Sequence, residues 1–336
     1  MVMHVTIAGS GVRFPCAGGD TMLRAALRAG IALPYECSVG GCGTCKIEVQ
    51  EGSAVMARSD FAGLSDRDRG KGRLLACQAV PDSDCTIKAR LDPACEPRIR
   101  PCRIRAELAS VSELTHDIRE FRFRSEVPAV FLPGQYALLR LPGVPADRAY
   151  SMSNLPNEQG EWHFQIRRTP GGAAGEVLFG MRPGQVIDLD GPYGMAYLRE
   201  DVPRDVVCIA GGSGLAPMMS IARGMFASES MRERRLTFLY GARTPQDVCG
   251  REILETLPGF HQRGRYFASV SDCMAAETWR GAVGYVHEHL AGILDAPFAE
   301  HEFYLAGPPA MVGAVEDLLL GPGEVPQEQL HFDRYC

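Results

Sequence analysis

Apolar and polar residues alternate over His4–Ile7, the period of a strand with one buried face. Gly9-Ser10-Gly11 supplies a turn before a second short strand. From Thr21 to Ala29 the period lengthens. Met22, Leu23, Ala26 and Leu27 form one stripe, which predicts a helix capped by Asp20 and stopped by Gly30. A loop rich in glycine and cysteine follows, then strands return at Lys46–Val49 and later at Thr86–Lys88. This mixture within the first hundred residues suits a small α+β sheet domain.

The pattern changes twice more. Pro93 to Pro101 holds three prolines with Arg98 and Arg100 among them, the composition of an extended linker. From Ile104 to about Leu198 short strands (Ile118–Phe123, Tyr136–Leu141, Trp162–Arg167) are set off by Pro-Gly turns at 133–134, 142–143 and 183–184, as in an antiparallel barrel. From Asp205 strands alternate with helices: Val206–Ala210, a helical stretch, Leu236–Tyr240, then Phe303–Leu305 and a helix over Ala310–Leu320. That alternation predicts a parallel α/β sheet. The expected division is therefore 1–94, a linker at 95–101, a barrel at 102–200 and an α/β domain at 201–336, with no internal repeat.

Composition narrows the function classes. The chain has 336 residues, 46% hydrophobic and 23% charged, ordinary for a soluble globular protein. A net charge of -6 argues against nucleic acid as a partner. No apolar run has the length of a membrane span, and no export signal stands at Met1–Cys16, so a cytoplasmic protein is expected. The 12 cysteines must then be explained without disulfides.

Four of them form the densest signal. Cys37-x4-Cys42-x2-Cys45, with Cys77 beyond it, is the plant-type spacing for a [2Fe-2S] cluster. Four thiolates must converge on two irons, and Gly40, Gly41 and Gly43 let the backbone wrap the site. Structural zinc is the rival reading, but zinc sites pair two short knuckles and this loop has an x4 gap with one distant partner. Cys16, Cys85, Cys95, Cys102, Cys208, Cys249, Cys273 and Cys336 read as core or surface thiols.

In the middle segment Arg148-Ala149-Tyr150-Ser151 follows Pro133-Gly134-Gln135-Tyr136 and precedes Phe164-Gln165-Ile166-Arg167 and Gly191-Pro192-Tyr193-Gly194. Together these resemble the flavin domain of the ferredoxin–NADP reductase superfamily. The resemblance implies that Arg148 pairs with the pyrophosphate of FAD, Tyr150 packs on the isoalloxazine and Ser151 hydrogen-bonds near N5, with Gln165, Ile166 and Arg167 also at the flavin. A guanidinium suits a pyrophosphate and an aromatic face suits a planar ring. The superfamily's Gly-x-x-Ser becomes Gly172-Ala173-Ala174-Gly175, so helix amides remain but one hydroxyl contact is lost.

In the last segment Gly211-Gly212-Ser213-Gly214-Leu215-Ala216-Pro217 follows an apolar strand and precedes a helix, where glycines let backbone approach a dinucleotide. With Tyr240-Gly241-Ala242-Arg243 and Tyr304-Leu305-Ala306-Gly307-Pro308-Pro309-Ala310-Met311 it resembles the nucleotide domain of the same superfamily. The superfamily's cysteine before Gly-Pro is Ala306 here, which puts the hydride-transfer rate in question rather than binding. Arg243 could hold a 2′-phosphate, whereas Asp247 would repel one; NADH is the expected coenzyme.

The order ferredoxin, flavin, nucleotide is similar to the reductase components of bacterial multicomponent oxygenases. His331-Phe332-Asp333-Arg334-Tyr335-Cys336, Pro34-Tyr35-Glu36-Cys37 and Gly284-Tyr285-Val286-His287-Glu288 resemble those of toluene monooxygenases in particular. The resemblance implies a β-grasp ferredoxin domain, an antiparallel barrel for FAD and a parallel α/β domain for NAD. It also places a terminal aromatic on the flavin, Tyr335 or alternatively Phe332. The implied reaction carries hydride from NADH to FAD, then single electrons through the cluster to a Rieske-type ferredoxin or an oxygenase hydroxylase. A monomer is expected. Reductases of phenol or alkene hydroxylases, dioxygenases or deoxysugar enzymes share this layout, and a non-catalytic redox sensor is the remote alternative. His287 and His289, two apart, would point to different faces of a helix and carry no ligand spacing.

Overall fold

Alternating burial makes Val2–Ile7 a strand whose inward Val5 and Ile7 lie in the first core. In the computed structural model, which describes all residues except 59, 273–278, 296 and 333–336, this strand pairs antiparallel with Arg13–Ala17 and parallel with Cys85–Lys88. Lys46–Glu51 and Arg73–Leu75 complete a five-stranded sheet, and the helix Met22–Arg28 buries its apolar stripe against it. This is the expected ferredoxin-type grasp of a sheet around a helix. The cap differs from expectation. Thr21, not Asp20, accepts from the Arg24 amide. Asp20 is drawn instead to two guanidiniums, Arg28 and Arg103, a stronger attraction than one amide offers. Gly30 ends the helix at φ +79°.

The Pro93–Pro101 segment is less extended than its composition suggests. Pro93–Cys95 forms a single 3₁₀ turn capped by Asp92. Arg98 then lies 5.2 Å from the centre of the Tyr197 ring, and Arg100 packs against Gly30.

Six antiparallel strands follow in the spatial order Arg148–Ser151, Tyr136–Arg140, Val186–Tyr193, Cys102–Glu113, Ile118–Ser125 and Glu161–Arg167. A bridge between Met152 and Phe164 joins the two outer strands and closes the barrel. Phe121, Phe123, Leu139, Trp162, Phe164 and Leu189 fill it. Cys102–Glu113 escapes the hydrophobic pattern because most of its side chains stay in solvent.

The last sheet is parallel: Ala282–Val283, Gly264–Val270, Leu236–Ala242, Asp205–Gly211, His301–Ala306, Leu330–Phe332. Its connections run outward both ways from Asp205–Gly211. The crevice beyond the ends of Asp205–Gly211 and His301–Ala306 is therefore a topological switch point, where open α/β sheets bind nucleotides. The helices Leu215–Ala227 and Pro309–Leu320 start there. Ser220 of the first helix donates to the Asn154 carbonyl at 2.7 Å and fixes this module to the barrel. Among the described residues no helix is long and apolar enough to cross a membrane.

Two glycines separate tight packing from free space. A Cβ on Gly214 would lie 1.9 Å from the Ala306 carbonyl oxygen, whereas one on Gly313 would meet nothing within 4 Å. Gly214→Ala is expected to cost about 3 kcal/mol or more, because backbone rather than a movable side chain blocks it. Gly313→Ala, inside a helix, is expected to gain about 0.5–1 kcal/mol. Denaturant unfolding of both variants checks the contrast.

Candidate functional site: cluster, flavin and nucleotide

The cysteine loop is shaped by backbone that only glycine adopts cheaply. Gly40 and Gly43 have φ of +88° and +78°. Side chains at either would run into Phe61 or the Gly63 carbonyl, so the segment 61–64 clasps the loop. The Gly63 amide donates to the Gly40 carbonyl at 3.0 Å, and Ala76 donates to Cys45 at 2.8 Å, which brings Cys77 to the loop. The amides of Gly41 and Cys42 point at Cys37 Sγ from 3.3 and 3.4 Å, as donors to a metal-bound sulfur would.

The four thiols fall into two pairs. Cys37 accepts a hydrogen bond from Cys42, which draws its thiol down to about 7 against the opposing effect of burial. Cys45 and Cys77 share a proton in the same way, Cys45 pushed up and Cys77 drawn down. A single zinc at about 2.3 Å from each sulfur would hold all four sulfurs within about 3.8 Å of one another. Among the described residues no three of these sulfurs lie within 4.8 Å of one another. Two pairs fit two irons. The remaining described cysteines are free thiols, and burial pushes Cys16 up to about 12 and Cys249 to about 11.

The barrel seam gathers the flavin candidates. Arg148, Tyr150 and Ser151 lie on one outer strand and Gln165, Ile166 and Arg167 on the other, joined at Met152 and Phe164. Burial pushes the Tyr150 phenol up to about 12, so it presents a neutral ring. Ile166 turns into the barrel core and offers the crevice only backbone. Gln165 is 2% exposed and donates to Glu120 at 3.1 Å, which leaves its Oε1 buried without a hydrogen-bond partner. An orphaned acceptor of this kind calls for a donor such as a flavin N–H. Gly172 caps the helix Ala173–Gly180 without a side-chain hydrogen bond, and Ala174 and Gly175 form its first turn. The Gly172 amide donates to the Thr169 carbonyl at 3.0 Å, so the amides of Ala174 and Gly175 are the ones left to face phosphate.

Gly211 ends its strand, Gly212-Ser213-Gly214 makes a 3₁₀ turn with Gly212 at φ +55°, and Pro217 sits in the first turn of the next helix. Gly307, Pro308 and Pro309 start the facing helix, with Pro308 as its cap. A Cβ on Gly211 would lie 2.7 Å from Met311 Sδ, so the two chain ends nearly touch. A Cβ on Gly212 would lie 3.4 Å from the Arg167 guanidinium, which brings the flavin and nucleotide candidates side by side. Gly241 ends its own strand nearby, and Arg243 follows it in solvent. Asp247 accepts from the Thr244 amide and hydroxyl, both at 2.8 Å, and faces Arg167 at 3.7 Å. With His116 and Asp117 it forms a small acidic group, but Arg167 pairs with both carboxylates, so the charge is already answered.

Phe332 packs on the core of the nucleotide module, and Tyr335 and Cys336 lie outside the described residues, as does Cys273. His287 and His289 stand in a short 3₁₀ turn, Val286–His289. Sequence reasoning missed Glu120, which orients Gln165. Its only signal was a carboxylate at an alternate position of an apolar strand.

An iron–sulfur module, a flavin barrel and a dinucleotide module in one chain define an electron-transfer flavoprotein. Residues 5–82 match the 2Fe-2S iron-sulfur cluster binding domain family, 105–197 the oxidoreductase FAD-binding domain and 208–317 the oxidoreductase NAD-binding domain. The chain is 41% identical over 327 residues to the ferredoxin--NAD(P)(+) reductase CarAd of Metapseudomonas resinovorans, covering 95% of this chain and 96% of that one. It is 34% identical to the xylene/toluene monooxygenase electron transfer component XylA of Pseudomonas putida, over 98% of this chain and 93% of that one. Its structure superposes on that of a ferredoxin reductase in carbazole 1,9a-dioxygenase with a TM-score of 0.91 and 36% identity, covering 100% and 99% of the two chains. The chain belongs to the ferredoxin–NAD(P)+ reductase components of multicomponent oxygenases.

The glycine at position 175 yields a prediction. A Cβ there would approach nothing closer than 3.7 Å, so serine fits. Gly175→Ser is expected to tighten FAD binding roughly tenfold by adding one hydrogen bond to a charged phosphate. Fluorescence titration of apoprotein with FAD measures it; an unchanged affinity would place the phosphates elsewhere.

Proposed function

We propose that this chain is the NADH-dependent reductase of a toluene-type aromatic monooxygenase, working in the cytoplasm as a monomer. Its 34% identity to the XylA protein over 98% of the chain supports the oxygenase class. Service to a phenol or alkene hydroxylase or to a ring-hydroxylating dioxygenase is the second reading, favoured by 38% identity to a reductase component named for an alkene monooxygenase system and 36% to one named for naphthalene 1,2-dioxygenase. The observation that carries the electron-transfer reading is the contiguity of three sites. The cysteine loop abuts the barrel through Tyr136, and the barrel's Arg167 abuts Gly212.

Bound FAD would take hydride from NADH and the cluster would pass its two electrons on singly to an acceptor protein. The chain supplies orientation. Arg148 and the helix start at Gly172, Ala174 and Gly175 would hold the pyrophosphate, Tyr150 would cover the ring and Ser151 would lie beside it. Gly211–Gly214, Pro217, Gly241 and Gly307–Pro309 would receive the dinucleotide, and Tyr335, which lies outside the described residues, would supply an aromatic to the flavin. Arg243 is the single cation of the turn 241–250, where Asp247 carries the opposite charge, so NADH is favoured over NADPH.

Anaerobic NADH should bleach the flavin absorbance and then the cluster's; a protein without flavin and inert to NADH would overturn the scheme. Cys42→Ser is expected to abolish cytochrome c reduction while sparing ferricyanide reduction. Equal loss of both activities would contradict the order of carriers. A kcat/KM for NADPH matching that for NADH would remove the coenzyme assignment.

A further inference from the structure

The cluster loop meets the barrel at Tyr136. Tyr136 is 3% exposed, and its hydroxyl donates to the Glu36 carbonyl at 2.8 Å and lies 2.8 Å from Ser38 Oγ. Glu36 and Ser38 flank the cluster ligand Cys37. At its backbone Tyr136 is the register partner of Ser151, on the strand that also carries Tyr150 and Arg148. One residue thus spans from the flavin-side strand to the two neighbours of a cluster ligand.

Its surroundings hold that span rigid. Tyr136 pairs with Tyr193 on its other side, with ring centres 6.0 Å apart. Tyr35 meets Tyr193 edge-on at 6.4 Å, and its hydroxyl accepts from the Gly194 amide at 3.1 Å. Tyr136, Leu138 and Tyr193 belong to the same buried cluster as the ferredoxin core, so this face of the barrel is ferredoxin interior. Ser38 sits at φ +54°, a conformation a serine keeps only where its surroundings fix it.

We propose that Tyr136 is a positioning residue for electron transfer: its hydroxyl pins the Cys37 loop against the flavin strand and provides the bonded route between them. Tunnelling weakens exponentially with distance and is better carried by bonds than by gaps. A route from Ser151 through the Met152 amide, its 3.1 Å hydrogen bond to the Gln135 carbonyl and on to Tyr136, then along the ring and across a second hydrogen bond to the Cys37 loop, contains no through-space jump. Without the hydroxyl, the loop at Ser38 loses its hold and the docked geometry becomes one of several. Two electrons enter per NADH and leave in two single transfers along this route. The proposal rests on the functional reading above.

Tyr136→Phe keeps the ring and removes the hydroxyl. Stopped-flow mixing with NADH under anaerobic conditions separates flavin reduction from cluster reduction. Flavin reduction and ferricyanide turnover should match the unmodified protein, while cluster reduction slows about three- to tenfold, the range over which one net hydrogen bond shifts a population. The electron paramagnetic resonance spectrum of the reduced cluster should shift, since the Cys37 surroundings change. Ser38→Ala should slow the same step, and the double variant should be no slower than either single one. Tyr266→Phe, which removes a buried hydroxyl bonded to the Cys249 carbonyl, should leave cluster reduction untouched. Cluster reduction at the original rate with an unshifted spectrum in Tyr136→Phe and Ser38→Ala would overturn the proposal. Failure of the unmodified protein to bleach with NADH would overturn the functional reading instead.

Discussion

Two redox modules exchange electrons only while they are held in place, so the whole arrangement depends on the seam between ferredoxin module and barrel. Asp20, Asp147 and Asp190, with side chains no more than 9% exposed, gather Arg24, Arg28, Arg103 and Arg140 at it, and the pairs Arg24–Asp147, Arg28–Asp190 and Arg103–Asp20 cross between the modules. Arg24 reaches Asp147 at 2.6 Å, and Arg28 links Asp20 to Asp190. Arg140 and Arg24 hold the Asp147 carboxyl below its usual range although burial acts against them. Such a network adds little net stability, because desolvating the ions costs nearly what their attraction returns. It is specific all the same. Sliding the module by one residue would strand buried charges, so a single docked arrangement survives. The tyrosines beside it then set the register of the cluster loop at finer scale.

The barrel is the shared partner. One of its faces completes the ferredoxin core, its interior is its own, and its seam strand meets the nucleotide module. At that second contact Ser220 and Arg223 of a single helix donate to the Asn154 and Ser153 carbonyls. The helix begins at the glycine turn that receives the dinucleotide. Its position on the barrel therefore fixes where a nicotinamide can lie relative to the seam. The barrel thus holds its two neighbours through two separate contacts, one shared core with the ferredoxin module and one helix of the nucleotide module.

Much of this was legible in the sequence for definite reasons. A cluster needs cysteines at fixed spacing, and a nucleotide loop needs glycines where Cβ atoms would strike backbone, as at Gly214 and Ala306. Both constraints are local, so they leave a mark in consecutive residues. The docking seam leaves none. Tyr136 and Ser38 are 98 residues apart, Arg28 and Asp190 162 apart, and each is an unremarkable residue in its own segment. Asp20 shows the cost of reading locally: a carboxylate before a helix is a sound cap, but distant arginines outbid the amide. Cys102–Glu113 was hidden for the opposite reason, since an exposed strand carries no apolar alternation to find.

The same distinction explains how relatives named for a xylene/toluene monooxygenase and for a carbazole dioxygenase can resemble this chain over nearly its full length. Ligands, glycine turns and buried seams lie inside the molecule, where they must agree with one another. The outer side of the cluster loop is the part open to solvent. There Cys42 is partly exposed, while Cys37, Cys45 and Cys77 are each under 5% exposed. Thr44 beside it is in solvent, with its hydroxyl 3.4 Å from Glu36. Residues on such an exposed rim can change without disturbing the buried thiols behind them, which lets one internal plan present different outer surfaces.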